Sequence, residues 1–261
     1  MSQNPSRPSQ PDTSGTFGYR SVDPNERQGL VNGVFSSVAE RYDVMNDLMS
    51  GGLHRLWKAD LVTMINPPTA QGAPFHALDL AGGTGDVALR IVAAGGSGTR
   101  VTLADINPEM VSVAERRIAS AGLTDRIPCV IANAEELPFA PRTFDVATIA
   151  FGIRNVTRIE LALKELFRVL KPGGRFLCLE FSRVDIPMLD RLYDLHSFEV
   201  IPRLGQLVAG DAESYRYLVE SIRRFPDQET FAGMIKTAGF ERVTYRNLTG
   251  GVAAIHSGWR I

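Results

Sequence analysis

Ala77-Leu78-Asp79-Leu80-Ala81-Gly82-Gly83-Thr84-Gly85-Asp86 is the stretch on which the reading of this chain turns. It begins as an apolar run, bends at three glycines, and passes into Val87-Ala-Leu-Arg-Ile-Val-Ala, which has helical composition. Strand, glycine turn and helix start together form a nucleotide-binding corner. Glycine lets the backbone approach a ligand closely and adopt positive φ without a Cβ penalty.

Two ligands fit this corner. Gly83-x-Gly85-x-x-Ala88 satisfies a dinucleotide fingerprint, and Asp105 supplies an acid where that fingerprint requires one. Asp86, however, stands at the helix entrance, where a pyrophosphate needs bare N–H groups and positive dipole. Asp79 closes the strand before the turn. Carboxylates on both sides of the loop repel a dianion and tolerate a cationic group, such as the amino acid end of S-adenosylmethionine. An ordinary turn with Asp86 as a helix-start residue is the third reading.

The rest of the chain bounds the answer. Its 261 residues are 44% hydrophobic and 22% charged, enough for one large α/β domain with a substantial core. A net charge of −1 gives no general attraction to nucleic acid. No window approaches the ~18 apolar residues of a spanning helix. Cys129 and Cys178 lie in apolar strand-like runs and read as free thiols in a reducing compartment. The four histidines lack metal spacing, so no metal is expected.

Residues 1–18 are rich in Ser, Pro, Gln and Gly and read as a disordered tail without the features of a secretory or organellar leader. A cytoplasmic location is expected. Residues 19–75 read as an N-terminal helical cap, with helices over Asn25–Tyr42 and Leu53–Ile65, the second stopped by Asn66-Pro67-Pro68. Residues 76–261 read as the main domain. Strands are predicted at His76–Leu80, Arg100–Asp105, Pro128–Ala132, Phe144–Phe151 and Arg175–Phe181, with helices at Pro108–Ser120 and Arg158–Leu170. A helical insertion follows at about 186–226, then a helix at Gln228–Ala238. Two strands around Thr249-Gly250-Gly251 end the chain. The fold class is therefore α/β, a doubly wound, mostly parallel seven-stranded sheet with an antiparallel C-terminal hairpin. That ending resembles the class I methyltransferase fold, a Rossmann-like architecture, rather than a dinucleotide domain.

Ligands of open parallel sheets sit beyond the carboxyl ends of the strands. The residues there are Gly82, Gly83 and Thr84; Asp105, an acceptor pair suited to ribose hydroxyls; Asn133-Ala134-Glu135-Glu136, placed to read an adenine edge; and Phe151-Gly-Ile-Arg154-Asn155, where an acceptor substrate belongs.

Two longer stretches carry a family resemblance. Tyr42 to Trp57 (YDVMNDLMSGGLHRLW) and Arg168 to Ser182 (RVLKPGGRFLCLEFS) resemble the signatures of the ubiquinone/menaquinone biosynthesis C-methyltransferases. Asp79–Asp86, Phe151–Val156 and Asp211–Tyr217 are similar to the same family, and the resemblance extends over roughly Val34 to Trp259. It implies transfer of a methyl from S-adenosylmethionine to a ring carbon of a prenylated benzoquinol or demethylmenaquinol. It implies donor contacts at Thr84, Asp105, Asn133 and Ala134, joined by Gly83 of the loop. A further contact, often a serine in the family, is Ala150 here, which leaves only its backbone.

Such chemistry needs an electron-rich ring, so the acceptor must be a quinol and preferably its phenolate. Arg154 is read as the group that stabilises the phenolate, because guanidinium stays protonated. Tyr42 and Asn155 are the accompanying catalytic candidates, with Asp43 and His54 as further polar groups. Arg154 in a plain ion pair and Glu180 as a cap for loop N–H groups are the alternatives. Beyond the quinol, the resemblance leaves open other quinone-biosynthesis enzymes, a second copy of the chain and a weak peripheral membrane contact as partners. The rival functions are an NAD(P)-binding oxidoreductase and a catalytically silent scaffold.

Overall fold

The computed structural model describes residues 15–41, 46–47, 50–182 and 212–261. Seven strands build the main sheet: β1 (Phe75–Leu80), β2 (Thr99–Asp105), β3 (Cys129–Ile131), β4 (Phe144–Ala150), β5 (Leu170–Phe181), β6 (Glu241–Leu248) and β7 (Ala253–Trp259). Their spatial order is β3-β2-β1-β4-β5-β7-β6. Strands β1 to β5 are parallel, and β7 inserts antiparallel between β5 and β6. Seven α-helices accompany them among the described residues: α1 (Pro24–Val38), α2 (His54–Ile65), α3 (Asp86–Ala94), α4 (Pro108–Ser120), α5 (Ile159–Val169), α6 (Ala212–Arg224) and α7 (Gln228–Thr237).

The strands are apolar throughout because both faces are covered. Successive side chains alternate between two cores. Ala77, Val101, Leu103, Val146, Leu177 and Ile255 join the core beneath the first four helices. Leu78, Leu80, Ala104, Ala147, Ile149 and Cys178 join the opposite core with α5 and α7. Helix α5 shows the cause in its spacing: Ile159, Ala162, Leu163, Leu166 and Val169 form one buried stripe. Truncating Leu163 or Leu166 to alanine costs about 2–5 kcal/mol.

Helix boundaries follow local chemistry. Asn107 caps α4 by accepting from the Met110 N–H at 2.9 Å, with proline in the first turn. Asp227 caps α7 through the Thr230 N–H at 2.8 Å. The Lys171-Pro-Gly-Gly run, read as a helix stop before the strand, lies inside β5. Leu170 already pairs with Phe144, and a register shift before Val146 absorbs the run, with Gly173 at φ 80°.

The N-terminal segment differs from its reading as tail in one respect. Thr16–Phe17 and Arg20–Ser21 form a small antiparallel ribbon, and Phe17 is buried, stacked on Tyr217 at 4.2 Å. Most of the predicted insertion, with Tyr42 and Asp43, lies outside the described residues.

Candidate active site

The strand order reverses between β1 and β4, since the chain moves outward through β2 and β3 and then returns to the other side of β1. This is the switch point at which ligands of open α/β sheets bind. A cleft of about 650 Å³, partly open to solvent, lies there. Gly83, Asp105, Asn133 and Ala134 line one side of it, and Phe151, Asn155 and Val156 another. Helix α1 covers it with Gln28, Val31, Asn32 and Phe35. A second space of about 310 Å³ shares Ala81 and Gly83 with the first and adds Thr84, Ala150, Asp79, Asp86 and Lys58. The six residues expected at a donor are thus brought around one glycine loop.

That loop is held by specific contacts. The Asp105 carboxylate is buried and accepts the Gly83 N–H and the Asn107 N–H, each at 2.9 Å. Burial raises its pKa while these bonds oppose the rise. A Cβ on Gly82 would lie 2.8 Å from Leu103 Cγ, so only glycine fits. Ala81 and Phe151, just after β1 and β4, adopt φ of 52° and 60°. Left-handed backbone at a non-glycine residue stores about 1–3 kcal/mol, and here it flanks the cavity on both sides. Phe151 is held there by packing, with its ring 4.8 Å from Phe181 and 6.2 Å from Trp57.

Asp79 is fully buried, receives the Thr148 hydroxyl at 3.0 Å, and has no partner for Oδ2 among the described residues. Burial pushes its pKa up to about 7. Asp86 is paired with Lys58 at 2.9 Å and Arg90 at 3.0 Å. Two bare carboxylates therefore do not flank the loop, because Asp86 is neutralised by cations invisible in the local sequence. The orphaned Asp79 oxygen beside the glycine loop suits a donor with a cationic end. The buried Asp105 carboxylate and the turn at Asn133 and Ala134 line the same cavity, and the residues fit S-adenosylmethionine.

The other predicted residues are placed as follows. The Thr84 hydroxyl accepts from Arg117 at 2.9 Å. Asn133 is exposed, and its Oδ1 accepts from the Glu135 N–H at 3.0 Å. Asn155 is buried and lines the cavity. Its Oδ1 accepts from the Tyr217 hydroxyl at 3.0 Å, and its Nδ2 has no partner among the described residues. His54 faces Asp47 at 2.9 Å and lines neither space, although Lys58 and Asp86 of the second space stand near enough to act on its charge. Tyr42 cannot be placed, being outside the described residues.

Arg154 sits behind the cavity rather than on its wall. Its guanidinium donates to Glu180 at 2.7 Å and to the Phe151 carbonyl at 2.6 Å, and lies 5.5 Å from the Phe181 ring centre. Glu180 also accepts the Phe181 N–H at 2.9 Å and the Arg154 N–H at 3.4 Å, the capping alternative considered for it. The sequence reading missed Arg27. Buried on α1, it donates to the Asn155 carbonyl at 2.8 Å, the Thr157 hydroxyl at 3.2 Å and the Arg154 carbonyl at 3.3 Å. It thereby pins the cap helix to the turn after β4. Its signal was a cation four residues before Val31 and seven before Val34, on the stripe that α1 buries.

Sheet order, switch-point cavity and glycine loop define a class I S-adenosylmethionine-dependent methyltransferase. A solved S-adenosylmethionine-dependent methyltransferase from Aquifex aeolicus superposes with a TM-score of 0.62 at 16% identity, over 87% of this chain and 98% of that one. The profile of the ubiE/COQ5 methyltransferase family matches residues 22–260, and the chain belongs to that family. The ubiquinone/menaquinone biosynthesis C-methyltransferase of Brucella abortus (strain S19) is 59% identical over 246 residues, 94% of this chain and 91% of that protein. The protein of the same name from Nitrobacter hamburgensis is 59% identical over 252 residues, 97% of this chain and 99% of that one.

Proposed function

We propose that this methyltransferase acts on a ring carbon of a prenylated quinol, a benzoquinol of the ubiquinone pathway, a demethylmenaquinol, or both. Support comes from the relatives' names and, within the chain, from the cavity that joins Asp105 and Ala134 to Asn155. Gly83, Thr84, Asp105, Asn133, Ala134 and the Ala150 backbone are assigned to the donor. When bound, S-adenosylmethionine supplies a methyl group on a sulfonium, an electrophile that a carbon nucleophile can attack.

The chain's task is to make that nucleophile. Each Asp105 oxygen already accepts one N–H, which orients the carboxylate and leaves lone pairs for two ribose hydroxyls. Phe35, Val31, Phe151 and Val156 give the acceptor an apolar wall and exclude water, which strengthens polar contacts inside. Asn155 Nδ2 is assigned to the acceptor oxygen whose ionisation makes the ring carbon electron-rich. Arg154, neutralised by Glu180, is assigned a supporting role: it holds the turn that carries Asn155 and contributes a field from behind. Tyr42 remains assigned to the same acceptor region on the family resemblance alone.

No helix among the described residues is long and apolar enough to cross a membrane. A prenylated acceptor is then met by peripheral contact at the cytoplasmic face. Methyl transfer assayed side by side on a reduced benzoquinol and a reduced demethylnaphthoquinol tests the proposal. Transfer to neither, with thermal stabilisation by NAD(P)H and not by S-adenosylmethionine, would favour the oxidoreductase. Donor binding without turnover on either would favour the scaffold.

A further inference from the structure

Asn155 carries a donor that nothing among the described residues uses. Its Nδ2 is buried and unpartnered, yet the residue lines the main cavity. An orphaned buried amide costs about 1–3 kcal/mol, so its persistence marks a place where a ligand completes the bonding. Which way the amide faces is decided from behind. Tyr217 of α6 places its hydroxyl 3.0 Å from Asn155 Oδ1, with both groups buried. Tyr217 lines a different, smaller cleft together with Arg27, Arg154 and Arg224. The guanidinium groups accept nothing, the Ser221 hydroxyl donates to the Leu218 carbonyl at 2.8 Å, and the Tyr217 hydroxyl is in hydrogen-bond contact with the Asn155 oxygen. Burial raises the Tyr217 pKa even against the pull of Arg27 and Arg154, so the hydroxyl stays a donor at neutral pH. Phe17 stacks on the ring at 14° and holds it in place. The Asn155 backbone is fixed as well, its N–H on the Gly152 carbonyl at 3.0 Å and its own carbonyl held by Arg27.

We infer that Tyr217 is a positioning residue that locks the Asn155 amide oxygen-inward, so the cavity is offered a hydrogen-bond donor and never an acceptor at this point. The site therefore selects an acceptor atom on the substrate ring. A phenolate oxygen satisfies it best, because a charge-assisted bond is about twice as strong as a neutral one. Tyr217 thus acts on the acceptor's ionisation through Asn155, at a residue outside both ligand spaces. The charged groups around this unit are Arg27, Arg154, Glu180 and Arg224 behind it, Glu135 acting on Arg27, and Asp105 across the cavity. The inference rests on the methyl-transfer reading above and names how that site recognises its acceptor.

The test is a double-mutant cycle with Tyr217→Phe and Asn155→Ala, read as single-turnover pH profiles on a reduced quinol. Tyr217→Phe keeps the stacked ring and removes one hydroxyl. It should leave donor affinity by calorimetry within about twofold, lower turnover about tenfold at neutral pH, and move the rising limb to higher pH by about one unit. In an Asn155→Ala background, Tyr217→Phe should do nothing more, because its route is gone. Multiplicative losses in the double variant, or an unmoved limb in Tyr217→Phe, would overturn the assignment. The unmutated protein gives a second readout. With S-adenosylhomocysteine bound, an ionised nitrophenol should shift the Asn155 side-chain NH2 resonance, and an unmoved resonance overturns the inference. An inactive wild type on every quinol instead overturns the underlying reading.

Discussion

The Arg154 guanidinium lies 2.7 Å from Glu180, and the two side chains are 2% and 1% exposed. A pair so buried is held by its own complementarity, and removing one member strands the other charge. Arg154→Ala is therefore expected to destabilise the fold by about 3–5 kcal/mol, beyond any effect on turnover. Replacing both, as Arg154→Met with Glu180→Leu, should recover most of that stability while leaving turnover low. Urea unfolding of the three variants checks it. A stable Arg154→Ala protein would mean that the pair is not structurally required.

Asp105 is expected to dominate donor affinity. Asp105→Ala removes the proposed ribose acceptor and frees the Gly83 and Asn107 N–H groups it now holds. The predicted loss is about 1.5–3 kcal/mol, the worth of a hydrogen bond to a charged group. Calorimetric titration with S-adenosylmethionine measures it, and unchanged affinity in a folded variant would remove the ribose role.

Asp79 makes stability depend on pH. Its carboxyl has an ordinary value of 3.8 and is raised to about 7 in the fold. Between those values the unfolded chain ionises while the folded protein stays protonated. The contribution is thus complete below about pH 3.8 and is lost as pH rises through about 7. Asp79→Asn lacks this loss. Relative to wild type it should gain about 3–4 kcal/mol between acidic and mildly alkaline solution. Denaturant midpoints at several pH values give the answer, and parallel curves would place an ionised carboxylate at Asp79.

These sites show what a chain reveals before it is folded. The glycine loop, Asp105 and the strand ends were legible because each combines a local periodicity with a turn, and the sheet follows from alternating apolar runs. Long-range partners were not. Lys58 neutralises Asp86 from 28 residues away, and Glu180 meets Arg154 across 26. Arg27 reaches Asn155 across 128. A charge in sequence carries no sign of its partner, so Asp86 read as a bare anion, and the ion pair that the sequence left as an alternative for Arg154 had no named carboxylate. Tyr217 stood inside a quoted motif, but only the packing of α6 against the turn after β4 shows whose oxygen it addresses.

The most direct test of the account offers S-adenosylmethionine carrying a labelled methyl group to one prenylated acceptor prepared in two redox states. The anaerobically reduced quinol should take the label on a ring carbon, at a rate that rises with pH as the phenol ionises. The oxidised quinone, electron-poor at the same carbon, should take none. Equal labelling of both forms, or label found on oxygen, would contradict the claim that this site works by making a carbon nucleophile.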